Sequence, residues 1–297
     1  VSIDESSVTL ESDPFLAPVR IRREHVQRIV HIDSAFLRYT GPDDLSGWTS
    51  FGRDRKTTEW FTDLRGALST YQWSGNLFRP IAFPSAVELR FSAEIPDGEP
   101  NLEIGLVREA DEGPMLETWD NYLVLTHGSR FVPVFQLDRE IKRLDFRLFW
   151  NQGTGDLRLC EPSGKTIASL DDVVVPRPEE SDGRDPLTRG FSILNRTPEL
   201  KLLALTVQEW DGKEPEIIDL GRPRILLADV GHRFRVNDVR LEAGSDSLRI
   251  GGESHPLDLV REIVIAPRSP EPADATPSLE TRVAWSGGGS ISGAFRR

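Results

Sequence analysis

The chain has 297 residues, 38% of them hydrophobic, and its 36 basic and 48 acidic residues give a net charge of −12. This length allows two domains, or one large domain with appendages. An acidic surface repels a phosphate backbone, so the charge argues against a nucleic-acid partner. No apolar run approaches the ~20 residues that a membrane-spanning helix needs, so we expect no membrane span.

The two ends of the chain carry a weak internal repeat. Strand-like runs at 7–12 and 26–30 are matched near the end by runs at 247–250 and 260–264, and both copies close on Val-x-x-Ile-Val. The pattern is typical of a small SH3-like or Sm-like barrel. Two arrangements stay open: a separate barrel remnant at the start, or one composite barrel formed by both ends. We favour the composite barrel, because an isolated two-stranded fragment is marginally stable in water.

Between these ends, helical periodicity is almost absent and short alternating strands are frequent. Clear examples are 87–91, 102–106, 144–150 and 190–194. The glycine-containing stretch 151–156 predicts a hairpin turn. About eight to twelve such strands at short spacing predict an all-β, concanavalin A-like jelly-roll sandwich with an appended small barrel.

The domain organisation that we predict has five parts. They are small-barrel strands over 1–36, the β-sandwich over 37–212, a small SH3/Sm-like barrel over 213–267, a Pro-rich linker over 268–278 and a terminal hairpin over 279–297. The sequence opens without Met and closes in a hairpin-like pattern, so we expect it to be part of a longer protein.

Several short motifs follow one another in the predicted sandwich. They are Gly47-Trp48, the strand around Trp60, Gly66-Ala67-Leu68-Ser69, Asn101-Leu102-Glu103-Ile104, Asn121-Tyr122, Gly190-Phe191-Ser192-Ile193 and Val207-Gln208-Glu209-Trp210-Asp211-Gly212. In this order they resemble the concanavalin A-like/laminin G-like domains common in planctomycete and Bacteroidetes proteins. More narrowly, they resemble the 3-keto-disaccharide hydrolase family. The resemblance implies a carbohydrate-related or adhesive role and an extracellular, periplasmic or cell-envelope location.

Aromatic residues with polar neighbours are the candidates for ligand binding. Sugars stack on aromatic rings while Asp, Asn and Arg side chains bind their hydroxyls, and binding sites in general combine apolar walls with a few polar groups. We expect Trp48, Trp60, Trp150 and Trp210 to pack in the core or at a sheet edge. The predicted ligand-binding residues are Trp73, Trp119, Asp120, Asn121, Tyr122 and Arg130.

An enzymatic reading has four acid/base candidates: Glu103, Glu117, Asp120 and His127. Laminarinase-type glycoside hydrolases need carboxylates that alternate along one strand and face one cleft. The nearest match, 109–112, runs into Gly-Pro and predicts a solvated turn. None of the four candidates therefore belongs to a recognisable catalytic motif.

We predict no metal and no cofactor. The five His residues are scattered without zinc-ligand spacing, and the single cysteine, Cys160, predicts a buried strand residue. Calcium is an option in this fold class, with candidate ligands at Asp43-Asp44, Asp171-Asp172 and Asp182–Asp185.

Together these observations favour a non-catalytic module that binds a carbohydrate or a protein. Two alternatives stay open. One is a glycoside-processing enzyme of the 3-keto-glycoside hydrolase type, and the other is a structural or assembly module in which the small barrels make the contacts.

Overall fold

The computed structural model describes most of the central region and parts of both ends. The described residues are 2–3, 7–10, 19–22, 26–31, 36–50, 59–63, 66–71, 75–96, 99–107, 113–138, 140–174, 189–215, 217, 224–227, 231–232, 239–241, 247–250, 253–256, 260–264, 279–285 and 289–295. They form β-strands and turns, and none of them lies in an α-helix. In this part of the chain no helix has the length and apolarity to cross a bilayer.

The described strands are numbered in chain order. The first four are β1 (Ser2–Ile3), β2 (Ser7–Leu10), β3 (Val19–Arg22) and β4 (Val26–His31). The central strands are β5 (Leu37–Gly41), β6 (Trp60–Thr62), β7 (Leu68–Thr70), β8 (Asn76–Pro80), β9 (Ala86–Glu94), β10 (Leu102–Val107), β11 (Met115–Trp119), β12 (Tyr122–His127), β13 (Arg130–Gln136), β14 (Arg143–Asn151), β15 (Asp156–Cys160), β16 (Thr166–Leu170), β17 (Arg189–Asn195) and β18 (Leu200–Glu209). The last are β19 (Arg224–Leu227), β20 (Gly231–His232), β21 (Val239–Leu241), β22 (Ser247–Ile250), β23 (Glu253–Pro256), β24 (Val260–Val264), β25 (Leu279–Trp285) and β26 (Gly289–Phe295).

Two compact units make up the chain: Leu37–Ile218, and Val1–Phe36 together with Asp219–Arg297. The first unit contains two antiparallel sheets. One has the order β13-β12-β11-β10-β17-β8, and the other has the order β16-β15-β14-β9-β18-β7-β6 with β5 paired to β18. The chain passes repeatedly from one sheet to the other, as in the succession β8, β9, β10. These features confirm the predicted all-β sandwich of jelly-roll type.

The core lies between the two sheets because alternate side chains of each strand point inward. In β9 and β14 the inward residues are Val87, Leu89, Phe91 and Ala93, and Leu144, Phe146, Leu148 and Trp150. Trp48, Trp60 and Trp150 belong to this core, and Trp210 is buried in a small second cluster with Phe149 and Cys160. The predicted packing roles of these four tryptophans and the predicted burial of Cys160 are confirmed.

The predicted hairpin turn between β14 and β15 is confirmed, and its sequence explains its shape. The side-chain oxygen of Asn151 accepts hydrogen bonds from the backbone N–H groups of Gly153 (3.0 Å) and Thr154 (3.2 Å). Gly155 has φ 74°, and a Cβ added there would lie 2.8 Å from the backbone of Asp172 and Val173. Only glycine combines this left-handed conformation with so close an approach.

The other unit contains two six-stranded sheets among the described residues. Their orders are β23-β22-β21-β1-β2-β3 and β20-β19-β24-β4-β26-β25, so both sheets combine strands from the two ends of the chain. The two Val-x-x-Ile-Val strands of the repeat, β4 and β24, pair with each other, with Ile29 opposite Ile263. The hairpin β25–β26 joins the same sheet through β4. The predicted domain boundaries and the SH3/Sm-like barrel assignment stay predictions.

Candidate functional site

The candidate site lies on the six-stranded sheet of the sandwich, β13-β12-β11-β10-β17-β8. It occupies the outer face of this sheet, which is turned away from the core. Leu116 of β11 and Leu123 and Leu125 of β12 pack in the core, so the residues between them point outward. The hydroxyl of Thr126 donates a hydrogen bond of 2.9 Å to the Glu117 carboxylate, which places both side chains on this outer face. The face therefore displays alternate residues of β11, β12 and β13.

Three large aromatic side chains are exposed on this face, and we call them the aromatic platform: Trp119, Tyr122 and Phe131. Their exposed fractions are 42%, 43% and 54%. Trp119 and Tyr122 are register partners, and the ring centroids of Trp119 and Phe131 lie 4.9 Å apart. Val124 lies on the same face, two residues after Tyr122 along β12. Its side chain is only 2% exposed, although it is not part of the core cluster. We attribute its burial to the platform rings.

The turn between β11 and β12 holds Trp119 and Tyr122 side by side. It consists of Asp120 and Asn121, both exposed, and Asp120 has φ 51°. Asp and Asn tolerate the left-handed conformation that two-residue hairpin turns require. The backbone N–H of Leu137 donates to the Asn121 carbonyl oxygen at 2.6 Å and ties the turn to the end of β13. Four predicted ligand-binding residues, Trp119 to Tyr122, are thus contiguous at one end of the sheet.

Arg130, another predicted ligand-binding residue, begins β13 and precedes Phe131. Its guanidinium donates hydrogen bonds to the carbonyl oxygens of Asp171 and Asp172, the second at 2.7 Å. These contacts tie the β12–β13 hairpin to the segment that follows β16. Two of the guanidinium nitrogens are therefore already occupied by backbone acceptors.

Two of the predicted acid/base candidates, Glu103 and Glu117, are register partners on β10 and β11. Side chains in such positions have Cβ atoms about 5 Å apart, and like charges there repel. Arg196 forms an ion pair with Glu103, and Thr126 donates to Glu117. Retaining glycosidases use carboxyl groups about 5 Å apart, but one of them must stay protonated as the acid. The Glu103 carboxylate is instead held in an ion pair with Arg196.

The other two acid/base candidates do not meet. Asp120 is exposed in the turn before β12, whereas His127 is the last residue of that strand, five residues from Tyr122 and therefore about 17 Å away. His127 also alternates to the face opposite Thr126. Burial lowers the pKa of His127, and the charge of Arg130 lowers it further against the opposing effect of the Gly113 and Val174 carbonyl groups. The structure thus brings no His/Asp pair together among these candidates.

Trp73 lies outside the described residues, as do Asp182 and Asp185. Among the residues that the structure does describe, no group of three or more His, Cys, Asp or Glu side chains is arranged to hold a metal ion. At the other calcium candidates, the Asp44 carboxylate accepts a hydrogen bond of 2.7 Å from the Ser46 backbone N–H. The backbone carbonyl oxygens of Asp171 and Asp172 accept the hydrogen bonds from Arg130.

A second polar cluster, which the sequence analysis missed, lies on the outer face of the eight-stranded sheet. The Glu88 carboxylate, 6% exposed, accepts hydrogen bonds from Arg90 (2.6 Å), Arg147 (2.9 Å) and Gln208 (2.6 Å). Arg147 also lies over the Phe149 ring, 5.0 Å from its centroid. The contacts join β9, β14 and β18, so the cluster cross-links the middle of this sheet.

The Glu88 cluster predicts a specific dependence of stability on pH. Burial alone raises the pKa of the Glu88 carboxyl, but Arg90 and Arg147 lower it, by charge and by hydrogen bonding, to about 2 from an ordinary 4.5. Because the folded-state pKa lies below the unfolded-state pKa, this stabilisation is complete above about pH 4.5 and is lost as the pH falls toward 2. Between pH 6 and pH 3 the wild type should lose about 2 kcal/mol relative to Glu88→Gln.

Denaturant titrations of wild type and Glu88→Gln at several pH values measure this difference. The comparison cancels the titration of the other carboxylates, which both proteins share. A difference that stays constant from pH 6 to pH 3 would contradict the depressed pKa.

Comparison with known proteins gives structural matches only. No protein-family model and no curated protein matches the chain. Among solved structures, a sialidase aligns at 12% identity and TM-score 0.40 over 61% of this chain, which spans 19% of the sialidase. The potassium-bound carbohydrate recognition domain of Emp46p aligns at 14% identity and TM-score 0.38, over 55% of this chain and 89% of the Emp46p domain. The alginate lyase AlgAT5, from polysaccharide lyase family 7, aligns at 11% identity and TM-score 0.36. The alignment covers 56% of this chain and 95% of the lyase. Matches this distant establish neither a family nor an activity for the chain.

Proposed function

We propose that the chain is a non-catalytic module that binds glycans on its aromatic platform. The observation that carries the proposal is the exposure of Trp119, Tyr122 and Phe131 together on one sheet face, with Trp119 and Phe131 in ring contact. The flat apolar faces of pyranose rings stack on such side chains. Asp120 and Asn121, exposed in the adjoining turn, supply acceptors and donors for sugar hydroxyls.

The composition of the site supports binding by stacking. Apolar patches on monomeric proteins are usually small, and a larger one with a polar border marks an interaction site. Aromatic rings in such a patch provide a large contact area and lose little conformational freedom on binding. On strands they are also held in place by the register of the sheet, which suits a platform for a rigid ring.

The proposed absence of catalysis rests on the acid/base candidates. Glu103 is paired with Arg196, Glu117 accepts from Thr126, and His127 lies about 17 Å along its strand from Tyr122. A glycan-binding module of this kind suits a secreted or cell-envelope protein, and we propose that location for this protein.

The test is a binding experiment with Trp119→Ala. Wild type is titrated calorimetrically with cello-, manno- and laminari-oligosaccharides and with their carboxylated derivatives, and we expect at least one glycan to bind. Trp119→Ala should weaken that binding at least tenfold, about 1.4 kcal/mol, because truncation of a central aromatic contact typically costs this much or more.

Phe61→Ala is the matched control. Phe61 is also a partly exposed aromatic residue, stacked on Tyr71 with centroids 5.4 Å apart, but it belongs to β6 in the other sheet. The control should bind the glycan as wild type does. If wild type binds no glycan, or if both variants lose affinity equally, the proposal fails.

A glycoside-processing enzyme is the second candidate, favoured by the register pairing of Glu103 with Glu117 beside the platform. It predicts release of reducing sugar or of an unsaturated product from a bound oligosaccharide, and loss of that release in Glu117→Gln. Incubation of the bound glycan with wild type, followed by chromatography of the products, separates the two candidates.

A further inference from the structure

Resting on the proposed glycan binding, we propose that the aromatic platform selects neutral or amino sugars and discriminates against glycans that carry carboxylate groups. The reason is the distribution of charge around the three rings. Carboxylates border the platform, and each of the two neighbouring guanidinium groups that the structure describes has another carboxylate within ion-pair distance.

The carboxylates come from both sides of Trp119. Glu117 precedes it by two residues on the same face and is partly exposed, and Asp120 follows it in the exposed turn. The hydrogen bond from the Leu137 N–H to the Asn121 carbonyl places the next residue, Asp138, beside this turn. Asp138 is exposed, and its carboxylate accepts the backbone N–H of Glu140 at 3.0 Å. Three carboxylates, those of Glu117, Asp120 and Asp138, therefore lie around Trp119 and the adjoining turn.

Two arginines near the platform could oppose this charge. Arg196 forms an ion pair with Glu103, whose backbone is in register with Glu117. Arg130 donates to the Asp171 and Asp172 carbonyl oxygens, and its guanidinium lies 3.9 Å from the Asp172 carboxylate. Each guanidinium thus has an acceptor from its own protein, and the carboxylates at Glu117 and Asp120 have no such cation among their described contacts.

An anionic sugar stacked on Trp119 would bring its charge near Glu117 and Asp120. Like charges across a binding interface oppose association and suppress the wrong partner. The effect acts over the Debye length, about 8 Å at physiological ionic strength and about 30 Å at 0.01 M, so it weakens as salt is added. An ammonium group on the sugar experiences the opposite, favourable potential.

The experiment compares two pairs of glycans, and the members of each pair differ in charge. The neutral oligosaccharide that wild type binds best is compared with the same chain oxidised at its primary hydroxyls to carboxylates, and a chitosan oligosaccharide is compared with its N-acetylated counterpart. At low salt we expect the carboxylated form to bind at least tenfold more weakly than the neutral form. The amino form should bind more tightly than the acetylated one, and both differences should shrink at high salt.

The variant is Glu117→Gln combined with Asp120→Asn, which removes two charges and keeps the polar atoms. It should narrow the neutral-to-carboxylated affinity ratio at least threefold. The matched control, Glu161→Gln with Asp211→Asn, makes the same change of charge away from the platform. Glu161 is partly exposed and follows β15, and Asp211 is exposed shortly after β18, and both of these strands belong to the eight-stranded sheet. The control should leave the ratio unchanged, which separates a local effect from one of net charge.

The outcomes distinguish this inference from the function on which it rests. If a carboxylated glycan binds as tightly as the neutral one, and Trp119→Ala abolishes that binding, the selectivity is wrong and glycan binding stands. A ratio unaffected by the double variant likewise overturns the role of Glu117 and Asp120. If no glycan of any charge binds, the proposed function itself fails.

Discussion

Replacing Glu88 with alanine is expected to lower the free energy of unfolding by about 3–5 kcal/mol, the range found when one partner of a buried ion pair is removed. Arg147 is only 11% exposed in its side chain and would lose the carboxylate with which it pairs. Gln208 and Arg90 would lose the same acceptor. Denaturant unfolding at neutral pH, followed by tryptophan fluorescence, measures the loss.

Glu209→Ala is the control for burial. Glu209 pairs with Arg38 at 3.2 Å in the same sheet, but both side chains are about 40% exposed. Exposed pairs contribute at most about 1 kcal/mol, so this variant should unfold almost as wild type does. Equal losses in the two variants would show that burial of the Glu88 cluster does not determine its contribution.

Trp150→Ala is expected to cost about 3–5 kcal/mol, the usual range for a large aromatic residue removed from a core. Trp150 is fully buried, packs edge-on against Phe83 and donates its indole N–H to the Val173 carbonyl oxygen at 3.1 Å. The variant therefore leaves both a cavity and a carbonyl group without its donor. Denaturant unfolding of the full chain checks the loss against wild type.

Two further variants separate these causes. Trp150→Phe keeps much of the side-chain volume but removes the indole donor. Its free energy of unfolding should therefore fall less than that of Trp150→Ala, because the phenyl ring fills most of the cavity. Val174→Ala changes an exposed side chain beside the accepting carbonyl and should cost at most about 0.5 kcal/mol. A loss in Val174→Ala as large as that in Trp150→Ala would contradict the assignment to the core.

The strands of the sandwich could be predicted because their alternation is strong. Leu144 to Trp150 alternates so regularly that its inward face can be assigned from the sequence, and the structure has the same residues in the core. The inward faces of β18 and of the short β6 are harder to assign, since apolar residues occupy consecutive positions in both strands. In the terminal unit, the repeat marked β4 and β24 individually, but their pairing depends on contacts between distant parts of the chain.

The candidate site was predictable where it is local and unpredictable where it depends on pairing. Trp119 to Tyr122 are consecutive, and their polar neighbours marked them as exposed. Phe131 was missed because β13 has apolar residues at several successive positions, so the sequence does not show which of them face outward. A register shift between Leu123 and Val124 adds to the difficulty.

Glu88 and Arg147 were missed although their strands alternate clearly. Each occupies the polar position of an alternating strand, and such a position ordinarily predicts a solvent-exposed side chain. Their contact joins residues 59 apart in sequence, and the contact of Glu88 with Gln208 joins residues 120 apart. No local pattern carries that information.

The segment after β16 is shared by the two sheets. Its carbonyl groups at Asp171 and Asp172 accept from Arg130, beside the platform, while the carbonyl of the next residue, Val173, accepts from Trp150 in the core. The end of the platform that holds Phe131 is consequently anchored, through Arg130 and this segment, to the hydrophobic interior. The Asp120-Asn121 turn makes no such connection through this segment. Substitutions of the Arg130 side chain would therefore disturb the neighbourhood of the buried Trp150 more directly than substitutions of the exposed Asp120 side chain.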